Sequence, residues 1–184
     1  MRHPTDAPRS RFMKDLVRTI PRSSDAEDFA RLRADPKVAE TLGGALTRED
    51  SRRLLGRWIA TWREEGLGPW IFREPASELL VGYAGLLPTE SSRRAEFELA
   101  YALQPSFWGR GLCTQMARSA LSDVTATRRP IEIVAWCLTT NVASKRVLEK
   151  LGFELDGHLM RAGLPHFAWR YSIRVASDTL PGAV

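Results

Sequence analysis

The chain has 184 residues, 27 Lys+Arg against 22 Asp+Glu, a net charge of +5 and a hydrophobic fraction of 43%. That size fits one globular domain, placed at 1–184 with loose tails at 1–11 and 176–184. Its longest uncharged stretch, Ile133 to Ser144, falls short of the roughly 20 apolar residues of a membrane span, so no membrane partner is expected. The leading MRHPTDAPRSR has no apolar segment behind its basic residues, which makes the cytoplasm the expected compartment. Cys113 and Cys137 do not make a disulfide framework, and His3, His158 and His166 are too scattered for a zinc site. The basic balance favours an anionic ligand. Arg is interleaved with acids, however, and nothing resembles a basic arm, so nucleic acid is not the expected partner.

In chain order, Leu16–Ile20 reads as a short strand. Ser24 stands three residues before Glu27, a capping-box spacing that opens a helix carrying Ala26, Phe29 and Leu32 and stopping before Pro36. Thr47 and Asp50 repeat the cap ahead of Leu54, Leu55, Trp58, Ile59 and Trp62, and Gly66 closes that helix. Trp70–Phe72 and Leu79–Leu87 read as strands around a turn at Pro75–Glu78. Ala95–Leu103 alternates: Phe97, Leu99, Tyr101 and Leu103 face one way, Glu96, Glu98, Ala100 and Ala102 the other. These three strands predict an antiparallel meander. After a turn at Gln104–Gly111, a helix uses Met116, Ala117, Ala120, Leu121 and Val124. Ile131–Leu138 is a buried strand, Val142–Leu151 a helix ended by Gly152, and Phe153–Asp156 and Phe167–Val175 two short strands. The helical crossing from 95–103 to 131–138 implies a parallel pair. The fold class is therefore α/β (α+β), a mixed sheet with helices on its faces.

The most informative segment is the strand–turn–helix through Trp108-Gly109-Arg110-Gly111-Leu112-Cys113-Thr114. Glycines let the backbone turn sharply and approach a ligand closely, and a helix start offers unpaired N–H groups to an anion. Arg110 adds a permanent charge. No Lys-Ser or Lys-Thr follows, as a P-loop needs, and Thr114 stands where a dinucleotide fingerprint has its third Gly. Another phosphate-bearing cofactor is required.

Four blocks occur in order: Glu98-Leu99-Ala100-Tyr101-Ala102-Leu103, Trp108-Gly109-Arg110-Gly111, Asn141-Val142-Ala143-Ser144 and Glu149-Lys150-Leu151-Gly152-Phe153. Together they resemble the GNAT superfamily of acyl-CoA-dependent N-acyltransferases, and more narrowly its ribosomal-protein-alanine N-acetyltransferase branch. The resemblance covers roughly residues 70–175. It implies a GNAT-like, mostly antiparallel twisted sheet with a splayed parallel pair that holds acetyl-CoA. The backbone of Tyr101, Ala102 and Leu103 would pair with the pantetheine arm. The pyrophosphate would rest on Trp108 to Thr114, that is Trp108, Gly109, Arg110, Gly111, Leu112, Cys113 and Thr114. Asn141 would bond the pantetheine, Ser144 would lie near the sulfur, and Lys145 or Arg146 would reach the adenosine phosphate. The chain departs from the pattern in three places: Cys113 replaces a smaller residue, Gln115 a frequent Glu, and Leu148 the Tyr that often serves as general acid.

An amine must be neutral to attack a thioester. Glu98 is the first candidate for the base and Glu96 the second; the alternative is that both face solvent or pair with Arg93 or Arg94. The backbone N–H near Leu103 is the expected oxyanion donor. Ser144 is a candidate donor to the leaving thiolate, or simply a helix-start residue. No base neighbours Cys113 in sequence, so a covalent route is not expected. Cys137, Trp58 and Trp62 read as core. His158 and His166 either border an acceptor pocket or lie on the surface. The resulting function is transfer of an acetyl group from acetyl-CoA to a primary amine, on a protein N-terminus or a small molecule, by direct attack in a ternary complex. The basic charge argues against a strongly cationic acceptor. Leu148 and Cys113 keep open a non-catalytic acyl-CoA-binding regulatory domain as the alternative. A homodimer is an open assembly.

Overall fold

The computed structural model describes residues 16–89, 96–125 and 131–173. Both expected tails, together with Arg93, Arg94, Arg128 and Arg129, lie outside the described residues. Its elements are β1 (Val17–Thr19), α1 (Ala26–Ala34), α2 (Pro36–Leu42), α3 (Arg48–Glu65), β2 (Trp70–Arg73), β3 (Leu80–Pro88), β4 (Glu96–Leu103), α4 (Leu112–Thr125), β5 (Ile131–Leu138), α5 (Val142–Leu151), β6 (Glu154–Arg161) and β7 (Leu164–Ile173). One sheet runs in the order β1-β2-β3-β4-β5-β7-β6, and β4–β5 is its parallel pair. The expected mixed sheet and the β2–β3–β4 meander are both present.

Local chemistry explains the helix ends. Thr47 Oγ1 accepts from the Asp50 N–H at 3.0 Å and opens α3, and Gly66, at φ 66°, closes it. The expected Ser24 cap is not formed. Residues 23–25 make a 3-10 turn instead, and the Asp25 carboxylate accepts from the Arg22 N–H at 2.7 Å. Asp25 is recruited there because Arg73 of β2 clasps it at 2.8 Å and Asp28 at 2.7 Å, tying α1 to the sheet. Pro36 does end α1, but it also begins α2, an element the sequence reading lacked. Proline has no N–H where a first helical turn needs none, and Asp35 caps by accepting from the Lys37 and Val38 N–H groups.

The last two strands form a longer hairpin than expected, turning at Ala162–Gly163. β6 is an edge strand with almost every residue exposed, so it carries no apolar alternation to read.

Helices cover both faces of the sheet. Phe29, Leu55 and Trp58 of α1 and α3 pack with Ile71 and Tyr83 on one side. Ala117, Leu121 and Val124 of α4, with Leu148 and Leu151 of α5, pack with Phe97, Leu99 and Ile133 on the other. Trp58 and Cys137 are core, as expected. Trp62 is half-buried; its indole donates to the Pro69 carbonyl at 2.9 Å.

The feature that positions the site is a split in the sheet. β4 and β5 pair only at Glu96↔Glu132, Phe97↔Ile133 and Glu98↔Val134. Beyond them, β3 continues to carry β4 to Leu103 and β7 carries β5 to Leu138, while the two strands part. The Pro69 backbone packs close on β3 at Gly85, where an added Cβ would stand 2.2 Å from Pro69 Cα. Gly85→Ala should therefore destabilise the protein by about 1–3 kcal/mol in urea unfolding, because two backbones would have to separate.

Candidate functional site

The split opens into a cleft of about 1050 Å³. Its walls are β4, β5, the α1–α3 helices and the β6–β7 hairpin; Trp108, at the turn after β4, also lines it. At the β4 end, the Trp108 indole donates to the Leu103 carbonyl at 2.9 Å and folds the turn back onto its strand. Gly109 and Gly111 hold φ of 75° and 74°, which an L side chain rarely adopts. Space is open at Gly109, so it is the conformation that calls for glycine there. Leu112 and Met116 are buried and pin the start of α4. The Gln115 N–H donates to the Gly111 carbonyl at 3.3 Å. The N–H groups of Leu112, Cys113 and Thr114 therefore come before the helical ladder and are available to an anion. The Arg110 guanidinium lies 5.5 Å from the Phe107 ring. Ala102 and Leu103 are buried beside the slot.

At the other end of the split stands Glu98, the last paired residue of β4. Its carboxylate accepts from Arg161 Nη1 at 3.2 Å and Nη2 at 3.3 Å. Burial raises its pKa above the usual carboxylate range, and the charges of Arg161 and His166 only partly oppose that. Arg161 in turn lies over the Trp136 ring at 4.2 Å. Glu96, the second candidate, accepts from Thr89 Oγ1 at 2.9 Å and faces Arg170 at 3.7 Å. It belongs to an ion cluster with Glu132 and Asp156.

Between these ends the Tyr101 hydroxyl and Ser144 Oγ lie 2.8 Å apart. Burial raises the Tyr101 phenol pKa, so the hydroxyl stays protonated. Asn141 is committed within the chain at both ends of its amide: Oδ1 accepts from the Ser144 N–H at 2.9 Å, and Nδ2 donates to the Thr41 carbonyl at 3.0 Å. Lys145 sits 3.9 Å from Glu149, and Arg146 is exposed on α5. Leu148 is fully buried in the core, whereas Val147 lines the cleft. Burial pushes the Cys113 thiol up to about 12, which makes it a poor nucleophile.

Sequence reasoning missed Arg161 and left His166 open. Both come from the β6–β7 hairpin, and His166 lines the cleft with its Nδ1 2.9 Å from the Leu164 carbonyl. His158 is exposed and packs on Phe167. No sequence spacing links Glu98 to a hairpin 63 residues away. Among the described residues no cluster of three or more His, Cys, Asp or Glu could hold a metal, and no helix is long and apolar enough to cross a membrane.

Residues 16–154 match the family profile of the acetyltransferase (GNAT) domain. The Bacillus subtilis protein YkkB is 26% identical over 166 residues, which span 88% of this chain and 90% of that protein. The ribosomal-protein-S5-alanine acetyltransferase of Vibrio fischeri superposes with a TM-score of 0.71 at 17% identity, over 91% of this chain and 96% of that one. The aminoglycoside acetyltransferase AAC(6')-Ib, solved in complex with coenzyme A, superposes with a TM-score of 0.69 at 17% identity, over 85% and 94%. At these identities the solved structures share the fold.

The balance at Glu98 is open to measurement. Arg161→Gln removes a cation that favours the ionised carboxylate, so the Glu98 pKa should rise further. Carbon-detected NMR titration should place the wild-type midpoint above the ordinary Glu range and the variant midpoint higher still.

Proposed function

The chain belongs to the GNAT acetyltransferase family and is an acetyl-CoA-dependent enzyme, and from that premise we propose that it acetylates a primary amine by direct attack in a ternary complex. The observation that carries this reading is the desolvated carboxylate of Glu98 at the mouth of the β4–β5 split, with the Tyr101–Ser144 hydroxyl pair further along the same slot. The family match does not favour the non-catalytic alternative, and the slot keeps hydroxyls of its own although Leu148 carries none.

The residues present fit the cofactor. The edge of β4 at Tyr101, Ala102 and Leu103 lies along a strand that has left its neighbour, as a pantetheine arm requires. Gly109 to Thr114 present a left-handed turn and the first N–H groups of α4 to the pyrophosphate, with Trp108 holding the turn and Arg110 adding charge. Ser144 stands at the slot, while exposed Arg146 is free to approach the adenosine phosphate. Asn141 contributes by fixing Ser144 through its cap. Acetyl-CoA supplies a thioester carbonyl and a thiolate leaving group, whose thiol pKa of about 8.5 makes departure easy.

Glu98 takes the proton of the incoming amine. A base with an elevated pKa, held in place by two guanidinium bonds, accepts a proton more readily than an ordinary surface carboxylate. An N–H on the unpaired edge of β4 near Leu103 steadies the oxyanion. The Ser144 hydroxyl, held beside the Tyr101 phenol, would offer a hydrogen bond to the departing thiolate, which leaves without needing a proton. Neither cysteine takes part. The acceptor amine is on a protein N-terminus or a small molecule; the similar Vibrio fischeri protein is named for an alanine of a ribosomal protein and AAC(6')-Ib for aminoglycosides.

Calorimetric titration with acetyl-CoA should give micromolar binding, and Gly111→Asp should weaken it at least tenfold, an estimate of roughly the size that a carboxylate beside a pyrophosphate would cause. Unchanged affinity would move the phosphate seat elsewhere. Glu98→Gln should lower the rate of thiol release with an α-amine by about 100-fold at pH 7 and by less at pH 9. At pH 9 an α-amine, titrating near about 7.7–8.0, is mostly neutral unaided. Equal losses at both pH values would remove Glu98 as the base.

A further inference from the structure

One buried cation in the cleft has no use in that mechanism. Arg33 of α1 is only 8% exposed and lines the cleft. Its Nη1 reaches the Tyr83 hydroxyl at a long 3.3 Å, and its Nε has no hydrogen-bond partner. Among the described residues no carboxylate forms an ion pair with it. Other arginines that reach the sheet or the cleft are neutralised: Arg73 by Asp25 and Asp28, Arg161 by Glu98, Arg170 by Glu132 and Asp156. A guanidinium cannot shed its proton, and a buried charge without a counter-charge is costly. Evolution of a fold can leave such a charge where a ligand supplies the missing partner.

The location narrows the ligand. α1 packs on the face of the sheet opposite α4, so Arg33 is not part of the phosphate turn. Tyr83 pairs in register with Ala102, and Leu87 with Glu98, on the same two strands. Ala102 and Glu98 are four residues apart on β4 and share a face. Arg33 and Glu98 therefore bound one compartment, with a cation at one end and a proton acceptor at the other.

We propose that the acceptor amine carries a carboxylate, and that Arg33 is the residue that binds it. This rests on the amine-acetylating reading above. The carboxylate can be the α-carboxylate of a free amino acid or an acidic side chain near the N-terminus of a peptide. Both offer a guanidinium the same two oxygens.

The test compares matched acceptors by thiol release from acetyl-CoA with the full chain: amino acids against their amides, and short peptide amides with Glu against Gln at the second residue. In at least one pair the anionic member should have a kcat/KM about tenfold higher or more, mainly through KM, and Arg33→Gln should bring that ratio within about threefold of one. Which pair responds identifies the source of the carboxylate. Arg33→Lys should retain part of the preference, and retained acetyl-CoA binding in each variant shows that the fold survives. Ratios near one for every pair in the wild type, or a ratio that Arg33→Gln leaves unaltered, would overturn the proposal. If no amine reacts at all, the amine-acetylating reading fails by itself. Calorimetry with N-acetyl amino acids then decides the anion site: binding that Arg33→Gln abolishes upholds it, and absent or equal binding overturns it.

Discussion

The organisation of this protein depends on a hydrogen-bond ladder that stops. After Glu98 and Val134 the parallel strands no longer satisfy one another's backbone groups. A buried N–H or carbonyl without a partner is costly, so such an opening persists only where its neighbours hold it and a solvent or ligand atom can enter. Here β3 and β7 run full length on either side and prevent collapse. The opening sets the position of everything else. Glu98 stands at its apex, the Tyr101 and Ser144 hydroxyls lie within it, and the glycine turn closes its far end.

Charge is distributed to match. The surface is basic and its ion pairs are mostly exposed, which limits each to a small contribution. The exceptions sit where elements must be held together or where the cleft takes in a half-buried carboxylate. The Arg73 clasp on Asp25 and Asp28 fixes α1 against β2. The Arg161–Glu98 pair is a compromise: burial raises the carboxyl pKa and the cation opposes that rise. Removing water and adding a guanidinium act in opposite directions, and the net result is a base stronger than a surface Glu.

Much of this was legible in the sequence because periodic burial writes itself into the residues. The alternation of Phe97, Leu99, Tyr101 and Leu103 revealed β4, and the Thr47 and Gly66 caps bracketed α3. The glycine turn was readable because its φ angles strongly favour glycine. Three things were not. The second role of Pro36, which starts a helix as well as ending one, leaves no periodic mark in a helix as short as α2. The Ser24 box lost to Asp25 because an arginine 48 residues away claimed the carboxylate. β6 runs on past the short strand read at Phe153–Asp156, and its exposed remainder carries no apolar alternation to mark it. The cleft shows the same division: Tyr101, Trp108, Asn141 and Ser144, named from local motifs, line it, as does His166, which the sequence left open, while Arg33 and Arg161 reach it only through tertiary folding.

Asn141 joins two parts of the molecule that would otherwise be independent. One end of its amide starts α5 beside Ser144, and the other holds the last turn of α2 through Thr41. The wall of the cleft that carries Ser144 and the helical wall that carries Thr41 are thus tied by a single planar group. Neither bond can be lost alone when the side chain is removed: truncation at Asn141 uncaps α5 and takes a donor from the Thr41 carbonyl in one step. One amide therefore sets the spacing between two walls that no strand pairing connects.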